Sequence, residues 1–364
     1  MSAARKISFP HFGDYCIPFE HIITRGMEME YITPPPMTKR TLEIGSRYSP
    51  DAACAPFKYT LGSMIEALES GADTLIETGG ECRLGYYGEL QEQILRDLGY
   101  EFEFINLARV DYSKPTTLLP ECRKINPDFS LKKAAAAGLA ALRMTDCMDA
   151  ADDFMRKNIG FETEDGSFEA VHAEFLAALR RADTKKDVVA AFDECMAKMR
   201  RLPVNKPKKP LRVGIVGEYY TIMDPFSNHH IEREMAKMGM VIERWMNLSG
   251  NLLKEPQKKV REKIRRYSKY NMGTTSMSTI ECALDCAKKG YDGIIHLKSF
   301  GCTPEIDAMP VLQNISRDYK IPILYFSFDS QTGEEGIMTR LEAFYDMMVM
   351  RRGAEHKHTQ GERI

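Results

Sequence analysis

The stretch from residue 71 to 88, GADTLIETGGECRLGYYG, constrains the chain most. Residues 74–78 form a short apolar run with the length of a buried strand. Gly79-Gly80 follows, and two residues without a Cβ allow a sharp turn and a close approach. Cys82 stands at the strand exit, and residues 84–98 place apolar side chains at helical spacing. Strand, turn and helix in that order predict a parallel α/β sheet, whose carboxyl edge is where such sheets take ligands.

The stretch has an echo at residues 290–302, GYDGIIHLKSFGC, again Gly-x-Asp, an apolar run and a cysteine. Glycine and cysteine are 11 residues apart in the first copy and 12 in the second. Cys54 precedes the helix that feeds the first strand, and Cys54 and Cys302 each have proline two positions on, at Pro56 and Pro304. Proline favours the first turn of a helix. Cys54 and Cys302 are therefore expected just outside helix N-termini, where free N–H groups and the helix dipole favour thiolates.

The alternation of strands and helices predicts two Rossmann-like or flavodoxin-like parallel-sheet units related by internal duplication, with a helical middle. The first unit spans residues 1–110 and holds Cys54 and Cys82. A helical insert and linker, 111–205, ends in the proline- and lysine-rich PVNKPKKP. The second unit, 206–364, holds Cys302. In detail, the pattern predicts strands at 6–10, 27–32 and 101–107, a helix at 38–45 stopped by Gly45, a helix at 337–350, and a frayed tail beyond it.

A chain of 364 residues with a formal charge of −2 has room for several cores and no global pull toward nucleic acid. No window approaches the roughly 18 apolar residues of a membrane span, and the first residues lack the apolar run of a signal peptide. These features predict a cytoplasmic protein with no membrane partner. Nine cysteines, an odd number, then read as metal ligands or core thiols more readily than as disulfides.

Three thiolates from Cys54, Cys82 and Cys302 suit one [4Fe–4S] cluster with an open iron; zinc with a water is the competing metal, and three buried core thiols the plain alternative. Cys282 and Cys286 lie four apart on a predicted helix and read as one packed face, since a third cysteine is absent where Lys289 stands. His230 and Glu234 have metal-ligand spacing but suit a capping role better. Residues 254–269 carry eight Lys/Arg against two Glu, a solvated face or a greeting for a nucleotide or CoA phosphate. Glu81, Arg83 and Glu334 are candidate catalytic groups. Arg83 would hold a thiolate or a substrate carboxylate; Glu334 belongs to the DSQTGEEG loop, where Thr332 and Glu335 also have capping-box spacing.

The segment CAPFKYTLGSMIEALESGADTLIETGGECRLGYYGE, with SFGCTPE and FDSQTGEEGIMTRLEAFYDMM, resembles the 2-hydroxyacyl-CoA dehydratase family, nearest its short, stand-alone, activase-related members. FPHFGDYCIPFE and PPPMTKRTLEIGSRYSP fit as well. The resemblance implies an oxygen-sensitive iron–sulfur cluster on three cysteines, matching Cys54, Cys82 and Cys302. It also implies an ATP-dependent activase partner that supplies one electron, and radical elimination of water from a 2-hydroxyacyl-CoA. Some relatives instead carry a double-cubane [8Fe–9S] cluster and reduce small molecules, and a non-catalytic electron-transfer or cluster-carrying partner is a third possibility. Family members pair as dimers, so a homo- or heterodimer is expected; two different subunits form the true dehydratases, and no residue here secures a CoA pocket.

Overall fold

The computed structural model describes residues 5–79, 82, 84–108, 110, 115–244, 247–249, 257–329 and 332–361. Two compact units divide the chain: Met1–Met148 with His172–Ala197, and Asp149–Val171 with Lys198–Ile364. Each is built on a four-stranded, all-parallel sheet, so the α/β class with two parallel-sheet units holds.

In the first unit β1 (Lys6–Ser8), β2 (Glu30–Tyr31), β3 (Thr74–Glu77) and β4 (Glu103–Asn106) lie in the order β2-β1-β3-β4. Helices α1 (Cys16–His21), α2 (Lys39–Tyr48) and α3 (Ala55–Glu69) come between β1 and β3, and α4 (Leu84–Asp97) between β3 and β4. All four β3 residues are buried, as strands covered on both faces must be. Phe57, Leu61 and Met64 of α3 pack with Leu75 and Leu95 on one side of the sheet; Ile7, Ile76 and Ile105 pack with Ile23 and Cys122 on the other.

After β4 the described chain is helical: α5 (Pro115–Ile125), α6 (Leu131–Arg156), α7 (Ser167–Arg181) and α8 (Lys185–Met199). The second sheet follows, with β5 (Leu211–Gly217), β6 (Met240–Arg244), β7 (Gly293–Ser299) and β8 (Ile323–Phe328) in the order β6-β5-β7-β8. Its helices are α9 (Tyr219–Met223), α10 (Ile231–Lys237), α11 (Gln257–Ile264), α12 (Thr274–Lys288), α13 (Thr303–Tyr319) and α14 (Glu334–Gly361). The two sheets share one strand order.

The repeated Gly-x-Asp has a structural cause. Asp73 Oδ1 accepts the Lys6 N–H at 2.9 Å, while the Asp73 N–H donates to the Lys6 carbonyl at 2.9 Å. Asp292 does the same for Arg212, at 2.7 and 2.9 Å. Each aspartate thus joins the start of its own strand to that of its central neighbour, β1 or β5.

Several elements differ from the sequence pattern. β1 and β2 are shorter than predicted. The first helix runs on into a π-helical turn, Ile22–Gly26. Gly45 does not stop α2 but lies inside it: a Cβ there would meet the Lys58 carbonyl oxygen at 1.8 Å, and one at Gly62 would meet the Thr41 carbonyl oxygen at 2.0 Å. The glycines let α2 and α3 touch backbone to backbone. The expected frayed tail is helix as far as Gly361. Thr332 stands outside α14, and its hydroxyl pairs with the Asp329 N–H at 2.9 Å and Oδ1 at 3.0 Å, so it does not form a capping box with Glu335.

Candidate functional site

In sheets of this order, β1 and β3, or β5 and β7, lie side by side while their connections leave in opposite directions, which opens a crevice at their carboxyl ends. Cys82 follows β3 and Cys302 follows β7. Cys54 is the N-cap residue of α3 and Cys302 of α13; both have extended backbone, and in both helices the proline occupies the second helical position. The carbonyl of each of the three cysteines accepts an opening hydrogen bond of a helix: Cys54 from Phe57, Cys82 from Gly85 and Cys302 from Ile306, at 3.0–3.1 Å. Half-buried thiols at such positions are in the field of free N–H groups.

Within the first unit, Tyr87 on α4 reaches Cys54. The Tyr87 hydroxyl lies 3.3 Å from Cys54 Sγ. Burial pushes the Tyr87 phenol well above its usual range, and the neighbouring Cys54 and Cys82 sulfurs push it further in the same direction. Its position comes from packing. Phe57 meets the ring edge-on at 4.7 Å, and Gln91, one turn along α4, donates to Thr60 Oγ1 on α3 at 2.6 Å.

At the end of β3, Glu77 is only 8% exposed. Burial lifts its carboxyl to about 7, against the opposing pull of the Gly79 N–H, which donates to Oε1 at 2.8 Å. Gly79 has φ +62°, and a Cβ there would come within 2.3 Å of Ala108 Cβ, so only glycine fits this turn. A buried carboxyl that titrates near neutrality at a sheet's carboxyl edge is a candidate acid/base group.

The second unit surrounds Cys302 differently. Lys298, near the end of β7, is 6% exposed. Burial lowers its pKa, while Cys302 and Glu305 hold it up. Glu305, in the first turn of α13, is fully buried; it receives the Thr279 hydroxyl at 3.1 Å and meets His296 Nε2 at 2.8 Å. At the exit of β5, Gly217 has φ +140°, and a Cβ would collide with the Leu297 carbonyl oxygen at 1.8 Å. Glu218 then caps α9, accepting from the Tyr220 and Thr221 N–H groups at 2.6 and 3.0 Å.

Glu81 and Arg83 lie outside the described residues, as does the side chain of Glu334. Cys282 and Cys286 belong to the apolar core under α12, where a Cβ on Gly214 would lie 2.5 Å from Cys286 Sγ. His230 occupies the N-cap position of α10 with a left-handed backbone, but its side chain makes no capping hydrogen bond, and Glu234 pairs with Lys237 at 2.7 Å. In the basic stretch, Arg266 and Tyr267 both bind Asp318, at 3.2 and 2.7 Å, and Lys263 pairs with Glu281. Among the described residues no three His, Cys, Asp or Glu side chains are arranged to hold a metal ion, and none of the nine cysteines is in a disulfide.

Glu77, Tyr87, Lys298 and Glu305 escape sequence reasoning. A charge closing an apolar strand, as in TLIE or IIHLK, was the signal available for Glu77 and Lys298.

No protein-family model matches the chain, and no curated protein matches it. No helix among the described residues is long and apolar enough to cross a membrane.

Proposed function

We propose that the chain is a cytoplasmic iron–sulfur protein of the 2-hydroxyacyl-CoA dehydratase type, with Cys54, Cys82 and Cys302 as the cluster thiolates. The observation that supports this reading is the pair Cys54 and Cys82, half-buried thiols at the N-terminal ends of α3 and α4, with the Tyr87 hydroxyl 3.3 Å from the Cys54 sulfur. Half-buried thiols at helix N-termini are donors that suit a thiophilic metal centre. A [4Fe–4S] cluster bound there supplies a low-potential electron and an open, Lewis-acidic iron.

The chain's own groups have separate tasks in this reading. Tyr87 donates to the Cys54 sulfur and orients it. Lys298 sets positive charge beside Cys302 and offers an N–H donor to an anionic oxygen. Glu77 holds a proton near neutrality and releases or accepts it at Oε1 or Oε2. Glu81, Arg83 and Glu334 remain candidates for contact with a substrate such as a 2-hydroxyacyl-CoA, with an ATP-dependent activase as electron donor.

Protein purified without oxygen should contain about four iron and four sulfide per chain and lose its colour in air. The Cys82→Ser variant should lose most of that iron, whereas Cys147→Ser, in a core position, should keep it. A colourless protein with one zinc, or equal iron in both variants, overturns the reading; about eight iron per site points to the double-cubane alternative.

A further inference from the structure

A second site lies in the first unit, on residues the cysteine reading does not use. A pocket of about 170 Å³ opens between α1, its π-helical continuation and α7. Glu20, His21, Thr24, Arg25 and Arg180 line it, over an apolar floor of Ile17 and Leu179. The π-helical turn widens the backbone at Thr24 and Arg25, and such turns concentrate at functional sites because they cost stability.

The polar groups in this pocket are incompletely matched. His21 is 6% exposed and donates to the Ala182 carbonyl, and its buried Nε2 has no partner. With its other ring nitrogen donating to the Ala182 carbonyl, the neutral imidazole presents Nε2 as an acceptor, and burial, then Arg25, shift its pKa downward. Glu20 Oε2 is likewise buried without a hydrogen bond. Arg25 is committed to Asp183 at 2.7 Å. Arg180 is not held so well: its acceptors are Glu20 Oε2 at 3.8 Å and Cys16 Sγ at 4.0 Å, beyond or at the limit of hydrogen-bond reach.

Two buried acceptors therefore lack a hydrogen-bond donor, beside a guanidinium that is 43% exposed and pairs with Glu20 only at 3.8 Å, free to turn toward a ligand. A plain anion satisfies Arg180 but sets its charge against Glu20. A plain amine satisfies Glu20 and His21 but leaves Arg180 unmatched. We propose that this pocket binds a small zwitterion, a short aliphatic amino acid whose carboxylate takes the Arg180 fork. Its ammonium donates to Glu20 Oε2 and His21 Nε2, and its methylenes lie on Ile17 and Leu179.

The test is calorimetric titration of the full chain with L-alanine, β-alanine and 4-aminobutyrate, and with butyrate and butylamine as the two half-ligands. At least one zwitterion should bind saturably, and each half-ligand at least about tenfold more weakly, the loss of one charged partner. Arg180→Gln, shown by circular dichroism to be folded, should weaken the zwitterion about tenfold or more, with Arg180→Lys intermediate. The proposal is overturned if no zwitterion binds at millimolar concentration, if butyrate equals 4-aminobutyrate, or if folded Arg180→Gln binds like the wild type. The wild-type ligand series decides the matter even where a variant misfolds.

Discussion

Replacing Glu77 by glutamine should stabilise the protein in alkaline solution and leave it unchanged in acid. The carboxyl ordinarily titrates near 4.5, and burial lifts it to about 7 in the folded chain. Below the lower value both states are protonated and the charge makes no difference. Between the two, the unfolded chain releases a proton that the folded chain keeps, so folding stability falls as pH rises. Above the upper value the deficit levels off, and a shift of this size corresponds to about 3 kcal/mol. Glutamine keeps an oxygen to accept the Gly79 N–H and has nothing to titrate. Urea unfolding of both proteins at about pH 4.5 and about pH 8.5, followed by circular dichroism, reads the difference directly. Other titrating groups, Glu218 among them, cancel in the comparison. Parallel stability profiles for wild type and variant across that range would refute the buried-carboxyl argument.

Other perturbations follow from single contacts. Gly217→Ala forces a Cβ against the Leu297 carbonyl and strains a positive φ, so it should cost about 3 kcal/mol or prevent folding of the second unit; differential scanning calorimetry measures this. Tyr87→Phe removes the 3.3 Å contact to Cys54 and should cost about 1 kcal/mol in urea unfolding while leaving the far-ultraviolet spectrum intact. Burial raises the pKa of Cys16, Cys122 and Cys147, so all three should resist alkylation near neutral pH until the chain unfolds, as peptide mass mapping would show.

The sequence makes the two sheets legible because their central strands announce themselves. Residues 74–77 and 293–299 are short, have apolar centres (Leu75-Ile76 and Ile294-Ile295) and have glycines close by on either side, which leaves few alternatives to a buried parallel strand. The edge strand β2 is two residues long and polar, so its extent cannot be read from its pattern. Gly45 misleads because a glycine in a helix looks like a stop signal; its true use depends on α3 lying against it. Cys54 and Cys82 stand out as thiols beside turn residues. Tyr87 does not, since its meeting with Cys54 depends on how α4 is rotated against α3, which Gln91 and Phe57 fix. Glu77 carries a visible charge, but only the packed sheet makes that charge costly. The π-helical turn has no sequence pattern of its own, and the pocket beside it joins residues 17–25 to residues 179–180.

The aspartates that tie β3 to β1 and β7 to β5 also bear on how the chain acquires its shape. Lys6 must wait for Asp73 and Arg212 for Asp292. Closing loops of that length costs on the order of 4 kcal/mol of chain entropy beyond the constant for ring formation. On the ribosome, β1 and β5 therefore emerge well before β3 and β7 exist. In that interval their apolar residues, Ile7 in one case and Val213 and Ile215 in the other, are open to chaperones and to self-association.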